Sequence, residues 1–220
     1  IAIDGPSGAG KSTAGKSLAA ELGYVFVDTG AMYRALALKA LRGGVAVDDA
    51  DALATSLRQT RIELLDGGRG VCLDGEDVTA AIRTREVSAA ASRASIHPAV
   101  RREMVARQRE LGKQGGVVLD GRDIGSTVFP DADVKFYVDA DPRRRAERRQ
   151  QELLAAGIAS DLDAIESEIR ERDHLDSTRQ DSPLVRAADA VVLNTTALGL
   201  DEVVARMRQV VSAVLAAAAR

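Results

Sequence analysis

The chain has 220 residues, enough for one α/β domain carrying insertions and short for two independent domains. With 45% hydrophobic and 29% charged residues it is not a largely disordered chain. A net charge of −3 and 3% aromatics without Trp speak against a nucleic-acid partner, which calls for a basic face and stacking platforms. No apolar run approaches the length of a membrane span, and Cys72 stands alone, so neither a membrane partner nor an internal disulfide is expected, and a reducing cytoplasm fits.

Ile1 to Asp4 is a short apolar, β-prone run. It feeds into Gly5-Pro6-Ser7-Gly8-Ala9-Gly10-Lys11-Ser12-Thr13, which fits GxxxxGK[ST] at every fixed position. The glycines let the backbone curl with its N–H groups inward, and the helix starting near Lys11 adds its positive dipole end, so phosphate is the natural occupant. Lys11 is expected to reach the β- and γ-phosphates of ATP, and the Ser12 hydroxyl to be a ligand of Mg²⁺. A bare turn would need neither the Lys-Ser pair nor so many glycines.

Ala14, Leu18 and Leu22 then stand at helical spacing, and Gly23 can stop that helix. A second strand over Tyr24 to Val27 leads into a helix running to about Arg42. Thr29 either caps this helix or meets a ligand, and Arg34, close to the helix N-terminus, opposes the dipole and wants an anion beside it. After a polar helix from about Asp48 to Gln59 come three strand-like pieces, Arg61 to Leu65, Gly70 to Leu73 and Glu76 to Val78, punctuated by Asp-Gly turns. Helices near Arg85 to Ser95 and from Pro98 to Lys113 follow.

Val117 to Asp120 resumes the core as an apolar strand ending in an acid, the form of a Walker B strand, and Gly121 to Ser126 makes a polar loop at its carboxyl end. A strand over Val134 to Val138 precedes a helix that begins at Asp141-Pro142, carries Arg143, Arg144, Arg145, Arg148 and Arg149, and breaks at Gly157. A further helix from about Asp161 to Asp173 leads into a charge-dense stretch reaching Arg179. The last strand is Ala190 to Leu193, and the final helix shows Leu200, Val203, Val204, Met207, Val211 and Val214 along one face. The expected fold is an α/β P-loop NTPase core with a five-stranded parallel sheet flanked by helices. The core takes residues 1–59 and 114–220, a small α+β subdomain is inserted at 60–113, and a helical lid spans 143–160.

What distinguishes such cores is where the γ-phosphoryl group goes; kinases carry a second pocket for an acceptor, and the insert and the Arg-rich helix are material for one. An acceptor that is itself a phosphate needs no general base, only guanidinium groups and a metal to hold two repelling anions in line. The competing reading of the Arg run is a solvated helix face, and that of Arg172, Asp176 and Arg179, at i, i+4 and i+7, is a salt-bridge ladder. His97 and His174 show no metal-site spacing and are expected to be structural.

The blocks IDGPSGAGKST, DTGAMYRALAL, LDGEDVTAAIRT, REVSAAASRASIHPAVRREM, DGRDIGSTVFPDADVKFYVDA and ERDHLDSTRQDSPL, in this order and spacing, resemble the bacterial cytidylate kinase family over essentially the entire chain. The resemblance implies transfer from ATP to CMP and dCMP with Mg²⁺, a nucleoside-monophosphate-binding insert and a mobile lid. It implies that Ser92, Arg101 and Asp123 read cytosine, that Arg34, Arg122 and Arg179 hold the acceptor phosphate, and that Arg172 and Asp176 contact the sugar. Thr29 stands where the family often has Ser. Lys11, Arg122, Arg179 and the lid residue Arg148 form the implied catalytic set, in a protein expected to be a monomer. The alternatives are another small-molecule P-loop kinase, of the UMP, shikimate or dephospho-coenzyme A type, or a non-catalytic nucleotide-binding module.

Overall fold

The structure is a computed structural model that describes residues 1–68 and 70–218. In chain order it runs β1 (Ala2–Asp4), α1 (Lys11–Leu22), β2 (Val25–Asp28), α2 (Thr29–Arg42), α3 (Ala50–Arg58), β3 (Ile62–Leu65), β4 (Gly70–Leu73), β5 (Glu76–Asp77), α4 (Arg85–Ala94) and α5 (Pro98–Gly112). It continues with β6 (Val117–Gly121), β7 (Lys135–Asp139), α6 (Pro142–Ala155), α7 (Leu162–Thr178), β8 (Val191–Asn194) and α8 (Leu200–Ala218). A 3-10 turn at Ala81–Arg83, absent from the sequence reading, joins β5 to α4.

Five strands form one parallel sheet in the order β2-β6-β1-β7-β8. The register sets Ile3 between Asp120 and Phe136, so β1 is buried by neighbours on both sides. Pairing β1 with β6 also brings the loops that leave their carboxyl ends side by side, which is where open α/β sheets bind ligands. On one face, Ile3, Leu18, Phe26, Val118, Phe136, Met207 and Val211 pack α1 and α8 against the sheet. On the other, Met32, Leu36, Leu53, Leu57, Met104, Leu119 and Ile124 pack α2, α3 and α5. Each such fully buried aliphatic side chain contributes roughly 1.5–3 kcal/mol.

The strands β3, β4 and β5 form a separate antiparallel sheet. Asp74 and Gly75 both take positive φ, 51° and 92°, as the two-residue turn between β4 and β5 demands. Val71, Leu73, Val78 and Ile82 pack on Ala35 and Leu38 of α2, while Met104 of α5 shares a cluster with Leu119 of β6. The tip of the β3–β4 hairpin reaches the outer strand β2: the Phe26 N–H donates to the Gly67 carbonyl at 3.2 Å. A Cβ on Gly68 would stand 1.8 Å from the Phe26 carbonyl oxygen, so only glycine allows this approach.

Three local expectations need correcting. Thr29 is not the cap of α2; the Asp28 carboxylate takes that role, accepting from the Ala31 N–H at 2.8 Å. Helix α7 does not stop near Asp173 but runs to Thr178, because Asp173 and Asp176 are matched by Arg145 of α6 and Arg122 of the loop after β6 instead of requiring solvent. The segment after β6 is not open loop: Ile124–Val128 winds into a wide π-type turn, whose first N–H groups, from Ile124 and Gly125, donate to the two Asp4 carboxylate oxygens at 2.7 Å each.

Candidate active site

The phosphate-binding loop leaves β1 at Gly5, where a side chain is impossible: a Cβ would sit 1.9 Å from the Val138 carbonyl oxygen. Gly10, at φ 91°, turns the chain into α1. Within the loop Ala9 belongs to the core, Thr13 is exposed on α1, and Lys11 is only 5% exposed. The Lys11 ammonium donates to the Pro6 carbonyl at 2.7 Å, curled back over the loop. Burial, and then the nearby Arg122 charge, push the Lys11 amine down to about 7.

The Ser12 hydroxyl donates to Oδ2 of Asp120, while Oδ1 of the same carboxylate is buried with no partner. Burial, and then the Asp28 charge, raise the Asp120 carboxyl to about 6. Thr29, rather than capping, donates its hydroxyl to the Asp120 backbone carbonyl at 2.7 Å, tying the start of α2 to the end of β6. Ser12, Asp120 and Asp28 offer only oxygen donors, and no group of three or more His, Cys, Asp or Glu among the described residues could hold a metal unaided. A cation here would need phosphate and water oxygens as well, the coordination Mg²⁺ prefers.

Next to the loop lies a cavity of about 160 Å³ assembled from widely separated segments. Lys11 and Ser12 form its floor on the phosphate-loop side; Arg34 comes from α2, Ser92 from α4, Arg101 from α5, Arg122 and Asp123 from the turn after β6, Arg172 and Asp176 from α7, and Arg179 from the cap of α7. A larger hollow of about 760 Å³ lies at the amino ends of the strands, by Val134 and Val214, away from these charges.

The cavity charges are arranged in pairs. Arg101 donates to Asp123 at 2.5 Å with both side chains buried, and Arg122 donates to Asp176 at 2.8 Å. Arg34 meets Asp28 at 2.8 Å, and Arg179 stands 3.5 Å from Asp176 and 3.7 Å from Asp123. Arg172 has no carboxylate partner among the described residues; burial, and then the Arg122 charge, lower it to about 10. Five guanidinium groups and the Lys11 ammonium thus face four carboxylates, Asp28, Asp120, Asp123 and Asp176, leaving a positive excess suited to an anion. The Nε atoms of Arg34, Arg101 and Arg172 and one terminal nitrogen of Arg179 are buried without hydrogen-bond partners, donors ready for a ligand's oxygens. Asp176 is held below the usual carboxylate range by Arg122 and Arg172 against the opposing effect of burial.

All the acceptor-side residues of the sequence reading therefore meet in one place. Arg148 does not: its guanidinium donates to the Thr195 carbonyl at 2.5 Å and the Thr195 hydroxyl at 3.2 Å, on the far side of Gly10. Two further residues belong to the site. Tyr33 packs its ring 5.9 Å from the Arg101 guanidinium, and its buried hydroxyl, raised to about 12 by burial, has no partner. Asp4, raised to about 6 by burial, fixes the turn that carries Arg122 and Asp123. The sequence signal for Asp4 was an acid closing an apolar strand; Tyr33 had only its place beside Arg34.

The sequence profile of the family described as "Cytidylate kinase" matches residues 1–213. Proteins named cytidylate kinase from Geobacillus sp. strain WCH70 and Geobacillus kaustophilus are each 51% identical over 214 residues, 96% of this chain and 96% of theirs. That of Syntrophotalea carbinolica is 51% identical over 214 residues, 96% of this chain and 91% of its own. Among solved structures, the crystal structure of TT1252 from Thermus thermophilus aligns with 97% of this chain and 95% of that chain at TM-score 0.47 and 23% identity. A family match spanning nearly the whole chain, on a P-loop fold with a cationic second pocket, makes this chain a member of the cytidylate kinase family.

Proposed function

We propose that this chain transfers the γ-phosphoryl group of ATP to CMP, and likewise to dCMP, giving ADP and CDP or dCDP. The observation that carries the reading is the buried Arg101–Asp123 pair in the wall of a cationic cavity beside the phosphate loop. Cytosine offers an amino donor at position 4 and acceptors at N3 and O2, so a carboxylate and a guanidinium complement it, with Ser92 beside them. Arg34, Arg122 and Arg179 would take the acceptor phosphate, and Arg172 and Asp176 the sugar side. Thr29 keeps the adjoining strand end in place.

In the reaction an oxygen of the CMP phosphate attacks the γ-phosphorus. The bond from that phosphorus to the oxygen bridging the β- and γ-phosphates breaks, and ADP departs with the electron pair. The attacking monoester is already anionic near neutral pH, its second pKa being about 6, so no side chain need remove a proton. Gly5 to Thr13 hold the ATP phosphates through backbone N–H groups, and Lys11, Arg122 and Arg179 bear on the transferring group. Arg148 sits on the ATP side and would reach that group only with movement of the lid. Mg²⁺, when bound, supplies charge neutralisation between the β- and γ-phosphates; the Ser12 hydroxyl and the unpartnered oxygen of Asp120 would hold it, together with phosphate and water oxygens.

Residues 60–113 serve in this reading as the insert that grips the monophosphate, 143–160 as the lid, and 1–59 with 114–220 as the core. In this reading the protein works as a cytoplasmic monomer with no nucleic-acid or membrane partner; the acidic net charge counts against nucleic acid. A coupled assay of ADP release over CMP, dCMP, UMP, AMP, shikimate and dephospho-coenzyme A tests it. CMP and dCMP should be turned over far faster than the rest; preference for another acceptor, or ATP binding without transfer, overturns the assignment.

A further inference from the structure

Of the five arginines between Arg143 and Arg149, one is unlike the others. Arg145 is 3% exposed, whereas Arg143, Arg144 and Arg149 lie on the surface in ion pairs with acids of α6 and α7. Its guanidinium makes three different contacts. Nε donates to the Ala140 carbonyl at 2.8 Å, one terminal nitrogen donates to the Ser7 carbonyl inside the phosphate loop at 3.0 Å, and the other donates to Asp173 of α7 at 2.6 Å. The loop also rests on the stem of this side chain, since a Cβ on Gly8 would come 3.2 Å from the Arg145 Cβ.

Asp173 is the hinge of the arrangement. On α7 it neighbours Arg172 and precedes Asp176 by one turn, and both of these line the acceptor cavity. The same ion pair, buried on its Arg145 side, therefore touches the loop proposed to hold the ATP phosphates and the helix proposed to hold the acceptor. A planar fork with fixed donor directions sets the spacing of three partners at once, which a lysine cannot do.

The structure assigns to Arg145 and Asp173 the part of positioning residues: they hold the phosphate loop and helix α7 in one register, so that the two phosphates stand in line. Neither touches the reacting atoms. The contribution is to geometry, and loss of geometry on the order of 1 Å costs about 100-fold in rate.

The inference rests on the proposed transfer from ATP to CMP, and the experiment separates the two. The full chain is compared with Asp173→Asn, Arg145→Lys and the double variant, measuring kcat, KM for each nucleotide, binding of ATP alone and of CMP alone, and thermal melting. Asp173→Asn should lower kcat by about 30-fold. KM and single-ligand affinities should stay within about threefold, because each half of the site remains intact. The double variant should be no slower than the slower single variant, since both changes cut the same link. Unchanged kcat in Asp173→Asn, losses that multiply in the double variant, or a rate loss matched by a loss of folded protein at the assay temperature would each overturn the assignment. Should Arg145→Lys fail to fold, Asp173→Asn, whose side chain is 24% exposed, decides alone. If the unaltered protein makes no CDP, the functional reading itself fails; if it makes CDP and Asp173→Asn does so equally fast, only the positioning role does.

Discussion

The two halves of the site are built from different materials. The loop proposed to cradle the donor is nine consecutive residues, Gly5 to Thr13, and the groups proposed to bind are its backbone N–H groups plus one ammonium. The cavity proposed for the acceptor draws on α2, α4, α5, the turn after β6 and α7, and its charged side chains, Arg172 apart, are already paired with one another. A backbone cradle recognises phosphate and is indifferent to what hangs from it. A wall of paired side chains can discriminate, because a wrong partner leaves buried polar groups unmatched.

This contrast breaks most visibly at Lys11. Lys11→Ala should cut kcat by about 100- to 1000-fold while the fold is kept, the scale of one lost charge-stabilising donor. The factor should be the same for CMP and UMP; steady-state kinetics with both acceptors would reveal any difference, and near-normal turnover would remove Lys11 from the chemistry. Asp123→Ala should act on the other half. It strands the buried Arg101 guanidinium and removes the proposed acceptor for the cytosine amino group, so kcat/KM for CMP should fall by roughly 10- to 100-fold and that for UMP much less, with ATP affinity unmoved. Equal losses on both acceptors would show that Asp123 only orders its own loop.

A subtler difference concerns protons. In the ligand-free protein the Lys11 amine sits near 7; the stability its neutral form confers is full above the ordinary 10.5 and is lost as the pH falls through about 7. Bound phosphates favour the charged form, so ATP binding at pH 8 should take up close to one proton. Asp120, at about 6, is already ionised there and contributes little. Calorimetric titrations in two buffers of different ionisation enthalpy measure the uptake, and Lys11→Ala should abolish it. The smallest effect is expected at Thr29, where Thr29→Val deletes the hydroxyl bond to the Asp120 carbonyl and should cost about 1 kcal/mol in urea unfolding with only modest change in selectivity.

The same division governs what could be read from the sequence. The cradle was legible because its residues are contiguous and its motif has a fixed spacing. The sheet was legible because β1, β2, β6, β7 and β8 are apolar runs separated by helical periodicity. The acceptor residues came from a family resemblance, since Ser92, Arg101, Asp123 and Asp176 are brought together only by folding. Asp28 took the cap of α2 from Thr29 because its carboxylate lies one residue earlier and also meets Arg34; both contacts are local, and Asp outranks Thr as an N-cap. By contrast, nothing local separates Arg145 from Arg148; both sit in a run of like residues, and the packing of α7 against α6 through Ala146, Ile165 and Ile169 selects the first for burial.

The hairpin tip at Gly67 and Gly68 has a bearing on how the protein behaves at high concentration. Strand β2 is an outer strand, and an outer strand with free N–H and C=O groups is a template on which another chain can pair. By accepting from the Phe26 N–H and seating Gly68 against the Phe26 carbonyl, the tip occupies that edge with the protein's own backbone. The segment proposed to grip the monophosphate thus also guards the sheet against intermolecular β-pairing. Lifting the tip, as Gly68→Ala would, should make the protein self-associate faster than the unaltered chain, seen as light scattering that rises with time while secondary structure is retained.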